Sequence, residues 1–269
     1  MAALFVMALC GCKDEKKNSD SEVEVSYSAS IICDATLMNN QSSTITVDVS
    51  PSPAEGYIST VDLFLGQELL KTSFTSPYLF VVELKDLATG NHELNAVVKF
   101  SDGTIITAEK MFFFKVNLGD EYQGGVVIKL SDDFLHGTIA SKTDLTGGFD
   151  GKYRYGAYNG NYQAYSMDDG LENTNKFSGK LDFGYAAIAC LNLELNGYDD
   201  WYLPANNEVL LFNGFLEELN IPKYPSRIFW SSTGDSTNPQ RAYAVPFNIT
   251  FGTPCNVQGL YLVRPCRRF

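Results

Sequence analysis

The stretch GYDDWYLPANNEV, residues 197–209, fixes how the C-terminal half of this 269-residue chain is arranged. It starts at a glycine that can end one helix, and its last residues can open another. Trp201, Tyr202 and Leu203 place three bulky side chains between the two helices. Pro204 keeps Leu203 out of the helical conformation, because the residue before a proline avoids the α region. The stretch therefore predicts a helix–anchor–helix junction that docks two helices on a sheet.

Apolar spacing predicts the flanking helices at about residues 182–196 and 206–219. Gly214 lies inside the second helix and costs it about 1 kcal/mol. Residues 147–177 are rich in Tyr, Gly and Asn, and they are too polar for a core strand and too long for a simple loop. A loop of that length inside a domain is usually functional. The other segments of this half indicate strands: GGVVIKL (124–130), RIFWSS (227–232), RAYAVPF (241–247) and GLYLVRPCRRF (259–269).

Residues 25–117 have a different pattern, in which apolar and polar side chains alternate between turn-forming segments. Short alternating strands bounded by such turns predict a β-sandwich. Their order resembles a bacterial immunoglobulin-like (Ig-like) domain, which implies a spacer. We place the boundary with the second domain, residues 118–269, at the turn NLGD. The alternating apolar residues are Ile45, Val47 and Val49, then Val61, Leu63 and Leu65, then Leu94, Ala96 and Val98.

The N-terminal residues indicate export and a lipid anchor. MAALFVMALCGC is an apolar run of signal-peptide length, too short to span a bilayer. Its end resembles a bacterial lipobox in which Cys12 is acylated, so that residues 1–11 form a lipoprotein signal peptide and the charged residues 12–24 form a flexible stalk. The acidic patch in the stalk resembles the export signal of surface lipoproteins of Bacteroidota, which implies a surface-exposed outer-membrane lipoprotein. The alternative, a metal or redox pair of Cys10 and Cys12, has no second Cys or His cluster to support it.

The composition indicates a globular, acidic protein, with 45% hydrophobic residues, 19% charged residues and a formal net charge of −12. Such a chain repels nucleic acid, so we expect no nucleic-acid partner. From Asn220 onward, however, six basic residues accompany a single acid, Asp235. We expect the arginines among them to anchor the final strand against acidic neighbours. The six are Lys223, Arg227, Arg241, Arg264, Arg267 and Arg268.

Six pieces of residues 118–269 together resemble the Lcl C-terminal domain family, of the formylglycine-generating-enzyme-like branch of the C-type lectin-like fold. The resemblance implies a multidomain protein, in which an all-β Ig-like sandwich is followed by an α+β C-type lectin-like domain. One departure is Ala205, where the family usually has a Ser or Thr that caps the second helix three residues before Glu208. Its loss costs the helix about 0.5–2 kcal/mol unless Asn206 caps instead. The pieces are GGVVIKL, HGTIASKTDL, ENTNKF, AAIACLNLELNGYDDWYLPANNEV, IFWSST and LVRPCRRF.

The same resemblance implies a structural set of residues. In C-type lectin-like domains a helix cysteine is often bridged to the last strand, which here pairs Cys190 with Cys266 and closes a loop of about 75 residues. The alternative is two free buried thiols. The sequence does not pair Cys33 or Cys255. The other residues to which we assign structural roles are Trp201, Leu203, Pro204 and Trp230.

The sequence carries no recognised catalytic motif. Its two histidines, His92 and His136, lie in different domains, and HExxH, CxxC, GxSxG, GxGxxG and Walker patterns are missing. We therefore predict a protein that is not an enzyme and needs no cofactor. Two alternatives stay open. One is Ca²⁺ binding by acid clusters at residues 168–173 and 199–200, and the other is a formylglycine-generating type of enzyme that uses Cys255 and Cys266.

Two polar segments, GDSTNPQRAY (234–243) and NITFGTPCNVQGLY (248–261), offer Asn, Thr, Tyr and Arg side chains as binding loops do. The resemblance implies that such C-terminal loops form the ligand face. We predict non-catalytic recognition of an extracellular protein or glycan. The alternative is a structural or accessory subunit of a surface assembly, fimbrial or for polysaccharide uptake. The predicted contact residues are Asn238, Arg241, Tyr243, Asn248 and Asn256.

Overall fold

The N-terminal part of the chain consists of eight strands. The computed structural model describes residues 25–181, 184–222, 227–246 and 249–269. The eight strands are β1 (Ser28–Ile32), β2 (Thr36–Met38), β3 (Ser42–Ser50), β4 (Ile58–Leu65), β5 (Glu68–Ser73), β6 (Tyr78–Glu83), β7 (Gly90–Phe100) and β8 (Ile105–Lys115).

These strands form an Ig-like sandwich of two sheets. One sheet has the strand order β1-β3-β6 and the other β2-β8-β7-β4-β5. Only β2 and β8 pair in parallel among them. The predicted alternation is confirmed, because its apolar side chains fill the space between the sheets, except that Leu65 is half-buried. Burying one such Val, Leu or Ile side chain stabilises the fold by about 1.5–3 kcal/mol.

The C-terminal part contains seven strands and three short helices within the described residues. The strands are β9 (Glu121–Tyr122), β10 (Gly125–Leu130), β11 (Gly137–Ala140), β12 (Ile228–Gly234), β13 (Arg241–Pro246), β14 (Thr253–Asn256) and β15 (Cys266–Arg268). The helices are α1 (Gly170–Asn175), α2 (Ala186–Leu191) and α3 (Asn206–Leu211), and a 3₁₀ turn, Phe212–Gly214, continues α3.

Two small antiparallel sheets organise this part. The first has the order β15-β11-β10-β9, so the last strand of the chain joins the first strands of the C-terminal part in one sheet. The predicted buried strand at residues 124–130 is confirmed, since Val126, Val127 and Ile128 on β10 are buried. The second sheet has the order β12-β13-β14.

The helices are shorter than the apolar spacing predicts, and α1 is an addition to the prediction. Helix α2 ends at Leu191. Helix α3 is followed by the 3₁₀ turn, and the helical conformation ends at Phe215, which has a φ of −135°. Phe212 and Leu219 are nevertheless buried, although they lie in turns and not in an α-helix. The spacing therefore predicts burial correctly and helix length wrongly. The chain is predominantly β, and an α+β lectin-like class for the second part is not established by these short helices.

The two parts share one hydrophobic cluster. Tyr122, Val127 and Trp201 of the C-terminal part belong to the cluster that fills the sandwich. The Tyr122 hydroxyl donates to the carbonyl of Leu87 at 2.6 Å, and the Gln123 N–H donates to Oδ1 of Asp86 at 2.8 Å. The sandwich is thus packed directly onto the domain that follows it. No helix within the described ranges is long and apolar enough to cross a membrane.

Candidate ligand-binding groove

Three successive residues of the 197–209 stretch enter three separate hydrophobic clusters. Trp201 joins the cluster shared with the sandwich, Tyr202 packs with α3 and β12, and Leu203 packs with α2 and the tyrosine-rich segment. All three are almost fully buried. Tyr202 also exchanges backbone hydrogen bonds of 2.7 and 2.9 Å with Cys266 on β15. The anchor therefore connects the last strand to every core region of the domain.

The start of α3 is capped from elsewhere in the fold. Ala205 has no side-chain acceptor, but Glu208 still accepts the Ala205 N–H at 2.8 Å. Asn206 does not cap the helix, because its Oδ1 accepts no hydrogen bond within the described residues. Its backbone N–H donates to Thr233 Oγ1 on β12 at 3.0 Å. Glu208 also accepts the Gly170 N–H at 3.1 Å and so ties the start of α1 to the start of α3. Tertiary contacts thus replace the hydroxyl that the sequence lacks. Pro204 contributes its carbonyl, which accepts the Ser232 N–H at 2.8 Å.

The expectation that C-terminal arginines anchor the final strands is confirmed for four of them. Arg227 and Arg264 share Asp144, Arg267 pairs with Asp200, and Arg268 pairs with Asp169. Arg241 differs, because within the described residues its guanidinium has neither an ion pair nor a hydrogen bond. Lys223 lies outside the described residues.

The predicted Cys190–Cys266 disulfide is not formed, and both residues are free thiols. Cys190 lies in the cluster around Leu203, whereas Cys266 lies in the cluster around Tyr202. Burial raises the pKa of both thiols well above the ordinary value, which disfavours the thiolate that disulfide formation requires. Cys33 and Cys255 are half-buried and also free. Cys255 and Cys266 pack in different clusters, an arrangement that lends no support to a reactive pair.

The acids considered for Ca²⁺ have other partners. Asp169 accepts the Glu172 N–H at the start of α1 and pairs with Arg268, and Asp200 holds Arg267 through both carboxylate oxygens. Among the residues that the structure describes, no group of three or more His, Cys, Asp or Glu side chains is arranged to hold a metal ion.

The tyrosine-rich segment folds back over the second small sheet through an aromatic cluster. Tyr155 lies 5.6 Å from the Trp230 ring and 5.3 Å from Phe177, and Tyr162 stacks on Phe177 at 4.4 Å. A side chain at Gly160 would collide with the Tyr162 ring, so this glycine permits the close approach. Buried Trp230 also donates its indole N–H to the Tyr153 carbonyl at 2.7 Å. The segment is thus a packed wall rather than a free loop.

A shallow, open groove, which encloses only about 10 Å³, lies between this wall and the turn that joins β12 to β13. Residues 160–165 form one side, and residues 234, 235, 239 and 241 form the other, over a floor of Tyr155. The Gly234 N–H donates to the Ala164 carbonyl at 2.6 Å and fixes the distance between the sides. Hereafter "the groove" means this feature.

The groove presents polar groups that the protein leaves without partners. Asp235 is 8% exposed, and its Oδ1 accepts the Thr237 N–H and hydroxyl at 2.8 and 2.6 Å. These hydrogen bonds lower the pKa of Asp235, so the carboxylate is charged at neutral pH. The Arg241 guanidinium, the side-chain amide of Gln163 and Nδ2 of Asn161 make no hydrogen bond within the described ranges. The nearby Arg241 charge and the Asn238 N–H also lower the pKa of the Asp235 carboxylate. Tyr165, which is 39% exposed, donates its hydroxyl to Oδ1 of Asn161 at 2.9 Å.

Of the predicted contact residues that the structure describes, Arg241 is the one that lines the groove. Asn238 sits in the adjoining turn, where its Oδ1 accepts the Gln240 N–H at 2.9 Å. Asn256 pairs with Arg241 across β13 and β14, and Tyr243 lies two residues farther along β13. Asn248 lies outside the described residues.

Sequence reasoning missed most of the groove's other lining residues. Asn161, Gln163 and Tyr165 belong to the long segment that the sequence did single out as functional, but nothing in its composition chose among its residues. In the sequence, Asp235 stood out only as the single acid of a basic region. Its isolation among basic residues could have marked it as a candidate site residue.

The N-terminal part also matches a known family. Residues 34–96 match the family model described as bacterial Ig domain. No match was found among curated proteins.

Among solved structures, the chain is similar to the fibronectin(III)-like modules of Clostridium thermocellum CbhA, with 21% identity over 32% of this chain and 97% of that one, at a TM-score of 0.25. It is similar to a CARDB domain from Pyrococcus furiosus in complex with di-metal ions. The identity is 14% over 36% of this chain and 99% of that one, at a TM-score of 0.27. It is also similar to Bacteroides ovatus SGBP-B in complex with a mixed-linkage heptasaccharide, with 14% identity over 39% of this chain and 26% of that one, at 0.25. The chain thus spans about a quarter of SGBP-B.

Proposed function

We propose that this protein is a surface lipoprotein that recognises an extracellular ligand without catalysis, through the groove of its C-terminal domain. The observation that carries the proposal is the set of unpartnered polar groups on both sides of the groove. Binding sites generally combine a preformed concave surface with a few fixed polar groups. The groove has both, because backbone hydrogen bonds and the aromatic cluster hold its two sides in place.

The C-type lectin-like fold of the C-terminal domain is part of this proposal. Three features support it: the last strand closes the first sheet, three short helices precede a second small sheet, and long loops form one face. In that arrangement the ligand face is built from loops, as the groove is.

The anchoring scheme completes the proposal. Cys12 and residues 1–24 lie outside the described residues, so the lipid anchor, the stalk and the outer-membrane location rest on the sequence pattern alone. Lipid and stalk attach the chain, and the Ig-like sandwich acts as spacer. The direct packing of the sandwich on the C-terminal domain supports rigid presentation of the groove.

The test compares the wild-type full chain with a variant in which the groove loses two side chains, Gln163→Gly with Arg241→Ala. Both side chains are exposed and have no protein partner to lose, and Gln163 has a φ of +56°, which glycine adopts readily. Labelled protein is applied to an array of neutral glycans, charged glycans and extracellular proteins. We expect at least one ligand whose binding falls at least tenfold in the variant. If no ligand on the array depends on these two residues, the proposal is wrong.

A second candidate function is an accessory subunit of a surface assembly. The observation that favours it is the outer face of the β1-β3-β6 sheet, where Ile32, Leu79 and Val81 are each more than half exposed. An accessory subunit should copurify with partner subunits after crosslinking on intact cells. A protein that only binds a ligand through the groove should bind it without such partner subunits.

A further inference from the structure

We infer that the ligand of the groove is an uncharged oligosaccharide, bound without a metal ion through Asp235, Arg241 and the amides of Asn161 and Gln163. This inference rests on the proposed function of the groove and adds the chemical class of the ligand. The hydroxyl groups of a sugar both donate and accept hydrogen bonds. They therefore match a surface that offers acceptors and donors together.

Asp235 supplies the fixed acceptor. Its Oδ1 accepts two hydrogen bonds from Thr237, so the carboxylate cannot rotate freely. Arg241 and the Asn238 N–H lie near enough to favour the charged carboxylate, and within the described part of the chain no side chain donates a hydrogen bond to Oδ2. The residue lines the groove although more than nine-tenths of it is buried. An ionised acceptor makes a stronger hydrogen bond to a hydroxyl than a neutral acceptor does. A sugar hydroxyl donated to Oδ2 would supply the hydrogen bond that no described side chain makes to this oxygen.

The balance of charge argues against a charged ligand. A fixed carboxylate repels an anionic ligand, and an unpaired guanidinium repels a cationic one. Asp235 and Arg241 line the same groove from the two ends of one turn, Asp235 directly after Gly234 and Arg241 directly before Ala242. The groove therefore presents both signs at short range and favours a ligand with no net charge. Among the residues that the structure describes, Asp235 is the only acid that lines the groove, whereas Ca²⁺ prefers several oxygen ligands.

The wall opposite Asp235 supplies an aromatic surface and two amides. The Tyr165 ring lines the groove, and an aromatic ring can cover the apolar C–H face of a sugar. Gln163 has a positive φ, a conformation that non-glycine residues rarely adopt. Asn161 supports this turn, because its Oδ1 accepts the Gln163 N–H at 3.2 Å. The result is a Gln163 side chain that is exposed on the groove and has no protein partner.

The decisive variant is Asp235→Asn. Asparagine keeps the Oδ1 acceptor for Thr237 and replaces the open oxygen with an NH₂ donor, so the turn is preserved while the acceptor is lost. The control is Asp199→Asn, which removes an exposed carboxylate away from the groove. Both full-length variants and the wild type are titrated with neutral oligosaccharides, and in parallel with sulfated and sialylated ones, with and without EDTA. Thermal unfolding checks that each variant is folded.

We expect the wild type to bind a neutral oligosaccharide equally with and without EDTA, Asp235→Asn to weaken that binding at least tenfold, and Asp199→Asn to leave it unchanged. Loss of binding in EDTA would overturn the metal-free part of the inference. Binding confined to charged glycans or to proteins, or neutral binding that survives Asp235→Asn, would overturn the ligand class. In those cases the Gln163→Gly, Arg241→Ala variant decides whether the groove is still the binding site. If that variant also binds normally, the proposed function fails as well.

Discussion

The Ig-like sandwich and the C-terminal domain reach a folded state by different means. In the sandwich, regular alternation along long strands buries one face of each sheet, although only β4–β5 and β7–β8 pair as consecutive strands. In the C-terminal domain the strands are short, and single residues such as Trp201, Tyr202 and Asp144 join segments that lie far apart in sequence. The comparison teaches that the second domain depends on a few buried contacts, while its ligand-facing residues contribute little to stability.

The largest effect is expected at the anchor. Trp201→Ala should lower the free energy of unfolding by about 3–5 kcal/mol, because it empties a fully buried site in the cluster shared by the two domains. Urea unfolding measures the loss. Phe74→Ala in the sandwich is the control, since Phe74 is 68% exposed and its replacement should change stability by no more than about 0.5 kcal/mol. Similar losses of stability in both variants would contradict the claim that the buried Trp201 matters more than an exposed aromatic residue.

Asp144→Asn should cause the next largest loss in the free energy of unfolding. It leaves Arg264, which is 2% exposed, without its ion pair, and Arg227 loses the same partner. Removing one member of a buried pair costs about 3 kcal/mol or more. Breaking the exposed pair of Glu172 and Lys176 with Glu172→Gln should cost about 0.5 kcal/mol or less. Chemical denaturation of the two variants gives the comparison, and equal costs would contradict the account.

Glu208→Ala should cost about 1–3 kcal/mol, because it leaves the buried N–H groups of Gly170 and Ala205 without an acceptor. Glu208→Gln should keep most of this stability, since the amide oxygen can still accept both. Burial raises the pKa of Glu208 above its ordinary value of 4.5. The folded state therefore holds its proton to higher pH than the unfolded state, and stability should fall as pH rises from 4.5 through the folded-state pKa. Unfolding measured from pH 4 to 8 should show this fall in the wild type and not in Glu208→Gln.

Gln163→Gly should have the smallest effect on stability. The loss of a side chain without a protein partner and the relief of a positive φ should keep the change within about 0.5 kcal/mol. Thermal unfolding checks the value. A loss comparable with that of Glu208→Ala would mean that the groove wall is a structural element and would weaken the distinction between core and ligand face.

The sequence predicted the sandwich well because alternation is a local signal. Val126 to Ile128 and the buried position of Trp201 were also predictable from local hydrophobicity. The helix lengths were not, because the apolar residues after Leu211 are buried by turns, which the same spacing fits. The Cys190–Cys266 bridge, which only the family resemblance implied, is not formed. Arg241 was found as a polar residue on a binding loop, but its lack of a partner could be seen only in three dimensions.

The most direct test of the account compares one exposed aromatic residue from each region on the same glycan array. Tyr165→Ala removes an aromatic wall of the groove, and Phe74→Ala removes a more exposed ring from the sandwich. The account predicts that Tyr165→Ala loses at least tenfold in affinity for a neutral oligosaccharide, which is about 1.4 kcal/mol, while Phe74→Ala binds like the wild type. Binding that survives Tyr165→Ala and is lost in Phe74→Ala would place the ligand on the sandwich and contradict the central claim.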